Sequence, residues 1–347
     1  MAIDGSRYLP QGESPIIGII GLGQIGMSLA LDLLASGLKV LGFDLNVLAC
    51  EFAAERGVDV VKDVEDLLGV ADLIFYAIPA GSMKGAIRSL ETFEFDKNVV
   101  VADLCSTKLD VERVFASANI DRSKISYVGL HPLAGSEKRS FHGAVANLFS
   151  GRVIVVAVGA LTDVMTVIYL TRLLIATTRC RVIFANPAAH DRLINFTIQI
   201  PHVFAYVASS FTKEVKDPVA LEMFTGNSLR DVIRVARSDP SMVASFLYSN
   251  REILLATLKS ASNRIESMVS ILDSGTEEEL ARLLDNFAPT TAKIAFEPTE
   301  RRCGSSVAEL QETIDSLMAT AYFVDDISID DDGSYLFSIV HLSEEEN

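Results

Sequence analysis

The sequence predicts an α/β protein: an N-terminal doubly wound, mostly parallel sheet, then an all-helical domain, then a small C-terminal α/β lobe. Three observations predict it. Short β-branched runs alternate with helical patterns from residue 16 to about 184. After residue 186 the strand-like runs give way to long stretches at helical spacing, and from about residue 289 strand patterns return. The boundaries read as 1–186, 187–286 and 287–347, and a chain of 347 residues is long enough for more than one domain.

The strand runs are IIGII at 16–20, KVLGF at 39–43, LIFYAI at 73–78, VVVADL at 99–104, YVGLH at 127–131, VIVVAV at 153–158 and RVIF at 181–184. Such nearly continuous apolar strands belong to a sheet covered on both faces. The first helix carries Ile25, Leu29, Ala30, Leu33 and Leu34 on one face, with Gly37 placed to end it. From 189 to 284 the spacing is helical, punctuated into several helices by Pro201, Pro218 and Pro240. The C-terminal pattern is a strand (AKIAF, 292–296), a helix (306–319) and a hairpin, YFVDDISI and YLFSIVHL joined through Asp332-Gly333. There is no internal repeat.

Charge and composition exclude several classes of function. Thirty Lys and Arg against 46 Asp and Glu give a net charge of −16, which argues against a nucleic-acid surface. A 49% hydrophobic and 22% charged composition is that of a globular chain. Mean hydropathy is +0.32, yet no run reaches the roughly 18 uncharged apolar residues of a membrane span. The first residues lack the basic start and apolar run of a secretory signal, so a cytoplasmic protein is expected. Cys50, Cys105, Cys180 and Cys303 are scattered without CxxC spacing, which predicts no metal site and no disulfide framework.

After IIGII comes Gly21-Leu22-Gly23-Gln24-Ile25-Gly26, opening the first helix. Gly21 allows the tight turn, Gly23 lets backbone amides approach a pyrophosphate, and Gly26 permits close packing of helix on strand. Asp44 ends the second strand, where a carboxylate binds an adenosine ribose 2′-hydroxyl and repels a 2′-phosphate; no arginine follows it. The pattern predicts a Rossmann-type dinucleotide-binding domain that takes NAD, with Gly21, Gly23, Gln24, Ile25, Gly26 and Asp44 at the cofactor. Pro79, after the fourth strand, is placed either to turn the chain past the nicotinamide or simply to end the strand.

His131 follows an apolar strand at its C-terminal end, and Ser106 lies just beyond VVVADL at the same edge. Ligands bind at that edge of an open α/β sheet. A neutral imidazole beside a nicotinamide can accept the proton of an alcohol whose carbon gives up hydride. Position alone equally allows a structural histidine held by backbone groups.

The run 127–152 (YVGLHPLAGSEKRSFHGAVANLFSGR) resembles the prephenate/arogenate dehydrogenase family, and the likeness continues through DLCSTK (103–108), HDRLINFTIQIPH (190–202) and NSLRDVIRVARSDPSM (227–242). It covers roughly residues 16–285. The resemblance implies that His131 is the catalytic histidine on the ring hydroxyl and Ser106 the serine that orients it and the cofactor. It implies that His202 helps to bind substrate, that Arg234 pairs with a substrate carboxylate, and that Glu137 and Asp231 form an ionic network with Arg234. A dianionic cyclohexadienyl substrate on so acidic a chain calls for a guanidinium. The implied activity is NAD-dependent oxidative decarboxylation of prephenate or arogenate by a homodimer built on the helical domain. A relative acting on 4-amino-4-deoxyprephenate and a non-catalytic cofactor-binding protein are the alternatives. The stretches Ile198-Gln199-Ile200-Pro201 and Ser228-Leu229 depart from the family pattern in a way expected to alter the pocket floor. His142 and His341 match no motif and read as surface residues, and the C-terminal lobe reads as structural.

Overall fold

The computed structural model describes residues 14–135, 140–288, 294–296, 300–319, 322–329 and 334–344. Its N-terminal strands are β1 (Ile16–Ile20), β2 (Lys39–Phe43), β3 (Asp59–Val60), β4 (Leu73–Tyr76), β5 (Val99–Asp103), β6 (Ile125–Pro132), β7 (Val153–Ala157) and β8 (Arg181–Ala185). They lie in the order β3-β2-β1-β4-β5-β6-β7-β8. Neighbours are parallel except at β6–β7, where Gly129 faces Ala157 and Pro132 faces Ile154 in an antiparallel ladder.

Alternation along each strand divides its side chains between two cores. In β5, Val100 and Ala102 join one and Val99 and Val101 the other. The first core is closed by the helices Gln24–Ala35, Val164–Thr178 and Val307–Met318 through residues such as Leu29, Leu174 and Ile314. The second is closed by Val64–Leu68, Arg88–Thr92 and Leu109–Ser117 through Leu67, Leu90 and Phe115. Each such side chain contributes about 1.5–3 kcal/mol by leaving water, and the parallel sheet is apolar on both faces for that reason.

The C-terminal segment is not a lobe with a sheet of its own. Its strands are β9 (Ile294–Phe296), β10 (Glu300–Gly304), β11 (Tyr322–Ile329) and β12 (Tyr335–Glu344). β11 pairs antiparallel with β8 at Val324 and Val182, and β12 and β10 follow outward, so one sheet runs from β3 to β10. Tyr322, Val324, Phe337 and Ile339 are buried in the first core. The Tyr322 hydroxyl accepts from the Phe184 amide and donates back to the Phe184 carbonyl. The expected Asp332-Gly333 turn lies outside the described residues.

Three helices of the second domain begin with the same local chemistry: Asn186, Asp217 and Asp239 each accept backbone N–H bonds at a helix start, and Pro187, Pro218 and Pro240 follow in the first turn. Pro201, expected to punctuate the chain, does not. The helix Pro187–Ile194 passes through a π-turn, Asn195–Gln199, straight into Ile200–Thr212. Proline supplies no amide and crowds the carbonyl four residues back, and widening the turn to an i→i+5 pattern relieves both. The long helix Arg251–Ser274 buries only Leu254, and a capping box at Thr276 and Glu279 starts the next helix, Glu277–Phe287. Among the described residues no helix is long and apolar enough to cross a membrane.

Candidate dinucleotide and catalytic site

The C-terminal ends of β1, β2, β4, β5 and β6 bring the glycine loop, Asp44, Pro79, Ser106 and His131 to one edge of the sheet. Gly21 has φ +99°, and a Cβ there would lie 2.5 Å from the Ala77 carbonyl oxygen. A Cβ on Gly26 would lie 2.0 Å from the Gly21 carbonyl oxygen, whereas one on Gly23 would meet nothing within 4 Å. Two glycines therefore let loop, helix and β4 close together, and the third leaves the backbone open to a ligand. Asp44 accepts from the Leu22 amide (2.6 Å) and the Asn46 amide (2.8 Å), which hold its carboxylate at the end of β2. Each oxygen keeps lone-pair capacity for a sugar hydroxyl. An open loop beside a fixed carboxylate fits a dinucleotide.

A cavity of about 410 Å³ lies against this edge, lined by Gly23, Gln24, Ile25, Pro79 and Ser106 from the sheet side and by Ser238, Met242 and Phe246 from the helical side. The two sides also touch directly: the Gly81 amide donates to Ser245 Oγ (3.3 Å), and the Thr107 and Ser249 hydroxyls meet at 2.9 Å. The Gln24 side-chain amide donates to the Gly143 carbonyl (2.9 Å), tying the first helix to the segment that follows β6. Cys105 also lines the cavity, but burial pushes its thiol well above the ordinary range, so it stays protonated.

His131 is buried behind this lining rather than part of it. Asp103 of β5 faces Gly129 of β6, so Cys105 and His131 stand level at the ends of adjacent strands, with Ser106 one residue on. His131 Nδ1 lies 2.9 Å from His190 Nε2, and His190 Nδ1 lies 2.7 Å from Asp191 Oδ1. The Asp191 carboxylate also accepts the Lys108 amide (2.8 Å) and the Leu109 amide (2.9 Å) at the start of the helix Leu109–Ser117. Burial first, then His190 and Lys108, hold His131 well below its ordinary pKa, so its ring is neutral at pH 7.

Beneath it, Lys108 Nζ is bonded to Asp103 Oδ1 and to the Leu130 carbonyl. Asp103 also accepts from Tyr127 Oη (2.7 Å) and the Cys105 amide (2.8 Å). Lys108 Nζ and both Asp103 oxygens each have a partner, and removing either residue would leave an uncompensated charge.

The remaining expected site residues are more dispersed. His202 donates from Nδ1 to the Ile198 carbonyl (2.8 Å) and rests edge-on against the cavity residue Phe246, with ring centroids 5.1 Å apart. Arg234 is exposed and opens the short turn Arg234–Arg237 that leads to Ser238; Asp231 is exposed one turn earlier. Glu137 lies outside the described residues. Gln199, expected at the pocket floor, is instead fully buried, donating to the Phe246 carbonyl (2.8 Å) and accepting from Asn250 Nδ2 (2.8 Å). His142 is exposed, and half-buried His341 lies 2.6 Å from a Glu300 oxygen. Reading the sequence missed Asp103, Lys108, His190 and Asp191 as individuals. They stood inside runs that carried the resemblance, and nothing in their spacing discloses that Asp191 reaches back to Lys108. Among the described residues no cluster of His, Cys, Asp or Glu has the makings of a metal site.

Residues 29–183 match the family model "Prephenate dehydrogenase, nucleotide-binding domain" and residues 186–286 match "Prephenate dehydrogenase, dimerization domain". The prephenate dehydrogenase of Lactococcus lactis is 27% identical over 261 residues, 72% of this chain and 69% of the relative. The cyclohexadienyl dehydrogenase of Zymomonas mobilis is 28% identical over 254 residues, 70% and 83% respectively. The solved prephenate dehydrogenase from A. aeolicus, in complex with hydroxyphenyl propionate and NAD+, shares the fold at a TM-score of 0.67 and 23% identity, covering 80% of this chain and 97% of that one.

Proposed function

Because the chain belongs to the prephenate dehydrogenase family of oxidoreductases, we propose that it oxidatively decarboxylates prephenate or arogenate, C4 losing hydride and the ring losing its carboxylate as CO2. The observation that carries this reading is a buried, neutral His131 at the sheet edge that also holds the open glycine loop and Ser106. Bound NAD+ supplies the hydride acceptor. Gly21, Gly23, Gln24, Ile25, Gly26, Asp44 and Pro79 hold that cofactor, Asp44 selecting the unphosphorylated ribose by accepting its hydroxyl. His131 accepts the C4 hydroxyl proton at Nε2, which makes no hydrogen bond among the described residues. Ser106, facing the cavity, orients the substrate hydroxyl and the nicotinamide end. Arg234 holds a substrate carboxylate, Asp231 and Glu137 set the guanidinium, and His202 binds substrate from the helical side. The same reading makes the molecule a cytoplasmic homodimer, joined through the helices that expose Phe196, Val207, Phe211 and Leu255.

The test is a panel of prephenate, arogenate and 4-amino-4-deoxyprephenate, each with NAD and NADP, followed by absorbance of the reduced cofactor. Turnover of prephenate or arogenate with NAD is expected. Turnover of only the amino compound, or of none, would overturn the assignment.

A further inference from the structure

The hydrogen bonds behind His131 form a single file. His131 leads to His190, His190 leads to Asp191, and Asp191 ends on two backbone amides. All three side chains are buried, at 5%, 3% and 1% exposure. The protonation of this file follows from its far end. Asp191 accepts two amides at a helix start, and an ionised carboxylate only accepts. His190 Nδ1 must then carry a proton. Where that is the only proton of the ring, the other nitrogen is bare, so His190 Nε2 accepts and His131 Nδ1 donates. The lone pair of His131 is thereby confined to Nε2.

We propose that His190 and Asp191 are positioning residues that hold His131 in the tautomer whose Nε2 accepts the substrate proton. The proposal rests on the reading of His131 as the base. In the proton transfer the substrate O–H bond breaks, an Nε2–H bond forms, and the new positive charge on His131 is stabilised by His190 as acceptor and, one ring further, by Asp191.

The charged groups around His131, Lys108 of the segment after β5 and Asp191 of the helical domain, are each engaged elsewhere: Lys108 by Asp103 and the Leu130 carbonyl, Asp191 by the Lys108 and Leu109 amides.

The file also crosses between domains. His131 belongs to β6, whereas His190 and Asp191 belong to the helix Pro187–Ile194. Asn250 Nδ2 donates to the Asp191 carbonyl (3.0 Å) and to Gln199 (2.8 Å), fastening that helix to the rest of the helical domain. The base is thus correctly protonated only while the helical domain is docked.

Four full-length variants test this: Asp191→Asn, His190→Ala, His190→Gln and His131→Asn. Each is assayed for kcat, KM, NADH affinity and thermal stability, and nitrogen-15 NMR of the parent assigns the His131 tautomer, identified by its absence in His131→Asn. In the parent, Nδ1 is expected to be the protonated nitrogen of a neutral His131. Asp191→Asn lets the file reverse, and His190→Ala removes the acceptor; each is expected to lower kcat by about a hundredfold or more with KM changed little. His190→Gln keeps an acceptor oxygen and is expected to recover at least about tenfold of the loss in His190→Ala, which a purely structural role would not produce. A parent His131 protonated at Nε2, or Asp191→Asn and His190→Ala folded and within about threefold of parent kcat, would overturn the proposal. If Asp191→Asn fails to fold, the His190 pair and the parent spectrum decide. If His131→Asn itself retains full activity, the reading of His131 as the base falls instead.

Discussion

His131 and Asp44 each carry a prediction that depends on a single functional group. Replacing His131 by Asn is expected to cut kcat by about a hundredfold or more while NADH affinity is kept, because a positioned base contributes about that much. Unchanged turnover would make it structural. The pH dependence follows from the direction of its shift. His131 must be neutral to accept a proton, and its pKa is held well below 6.5. The kcat/KM profile is therefore expected to stay flat as pH falls through 6.5 and to drop only below it, at the lowered value. An acid limb centred at or above 6.5 would contradict the burial. Replacing Asp44 by Asn is expected to reduce the preference for NAD over NADP about tenfold or more, since the amide no longer repels a 2′-phosphate. Comparing kcat/KM for the two cofactors checks this. The place of Asp44 at the end of β2 was legible in the sequence because it follows from position along the chain. The contact between His131 and His190 was not, because those residues are 59 apart and meet only when two domains dock.

At the scale of the element, the glycine loop depends on close approach. Gly26→Ala places a methyl 2.0 Å from the Gly21 carbonyl oxygen and 2.8 Å from Ala77 Cβ, so the first helix must move away from β4. The expected cost is about 1–3 kcal/mol with a fall in Tm of a few degrees, together with weaker NADH binding; Gly23→Ala, with open space around it, is expected to leave Tm alone. Equal Tm for Gly26→Ala and parent would show that the loop can relax. Strands and caps were readable for the same local reason: β-branched and aromatic runs make β1, β4 and β5, and Asn186-Pro187, Asp217-Pro218 and Asp239-Pro240 announce helix starts. Pro201 misleads on that logic. No Asn or Asp cap precedes it, Ile200 standing in that place, and the helix carries the proline through a π-turn in which Gln199 is anchored to Phe246 and Asn250.

For the molecule as a whole, light scattering at micromolar concentration is expected to give the mass of a dimer. A monomer would leave the exposed apolar positions of the helical domain, Phe196, Phe211 and Leu255 among them, without cover. The C-terminal strands raise a second expectation. Their alternation and the intervening helix were visible in the sequence, but their place in the sheet was not, since Tyr322 and Phe184 lie 138 residues apart. Because Leu310, Ile314, Val324 and Phe337 belong to the first core, removing everything after residue 286 is expected to yield an unstable or aggregating protein. A truncated chain with the parent Tm would contradict that shared core.

The late arrival of β11 at the sheet shapes how the chain matures. Until β11 is made, β8 is an open sheet edge of Val182, Ile183 and Phe184, and an open apolar edge is a template for pairing with any other strand. The ribosome releases the nucleotide-binding and helical portions well before β11 emerges, so the growing polypeptide passes through an interval with that edge bare. Refolding from denaturant is expected to show the same interval as a concentration-dependent loss of yield. Ile183→Lys, at a half-buried position between Val182 and Phe184, would suppress that loss if the open β8 edge is its source, and would leave it unchanged if aggregation begins elsewhere.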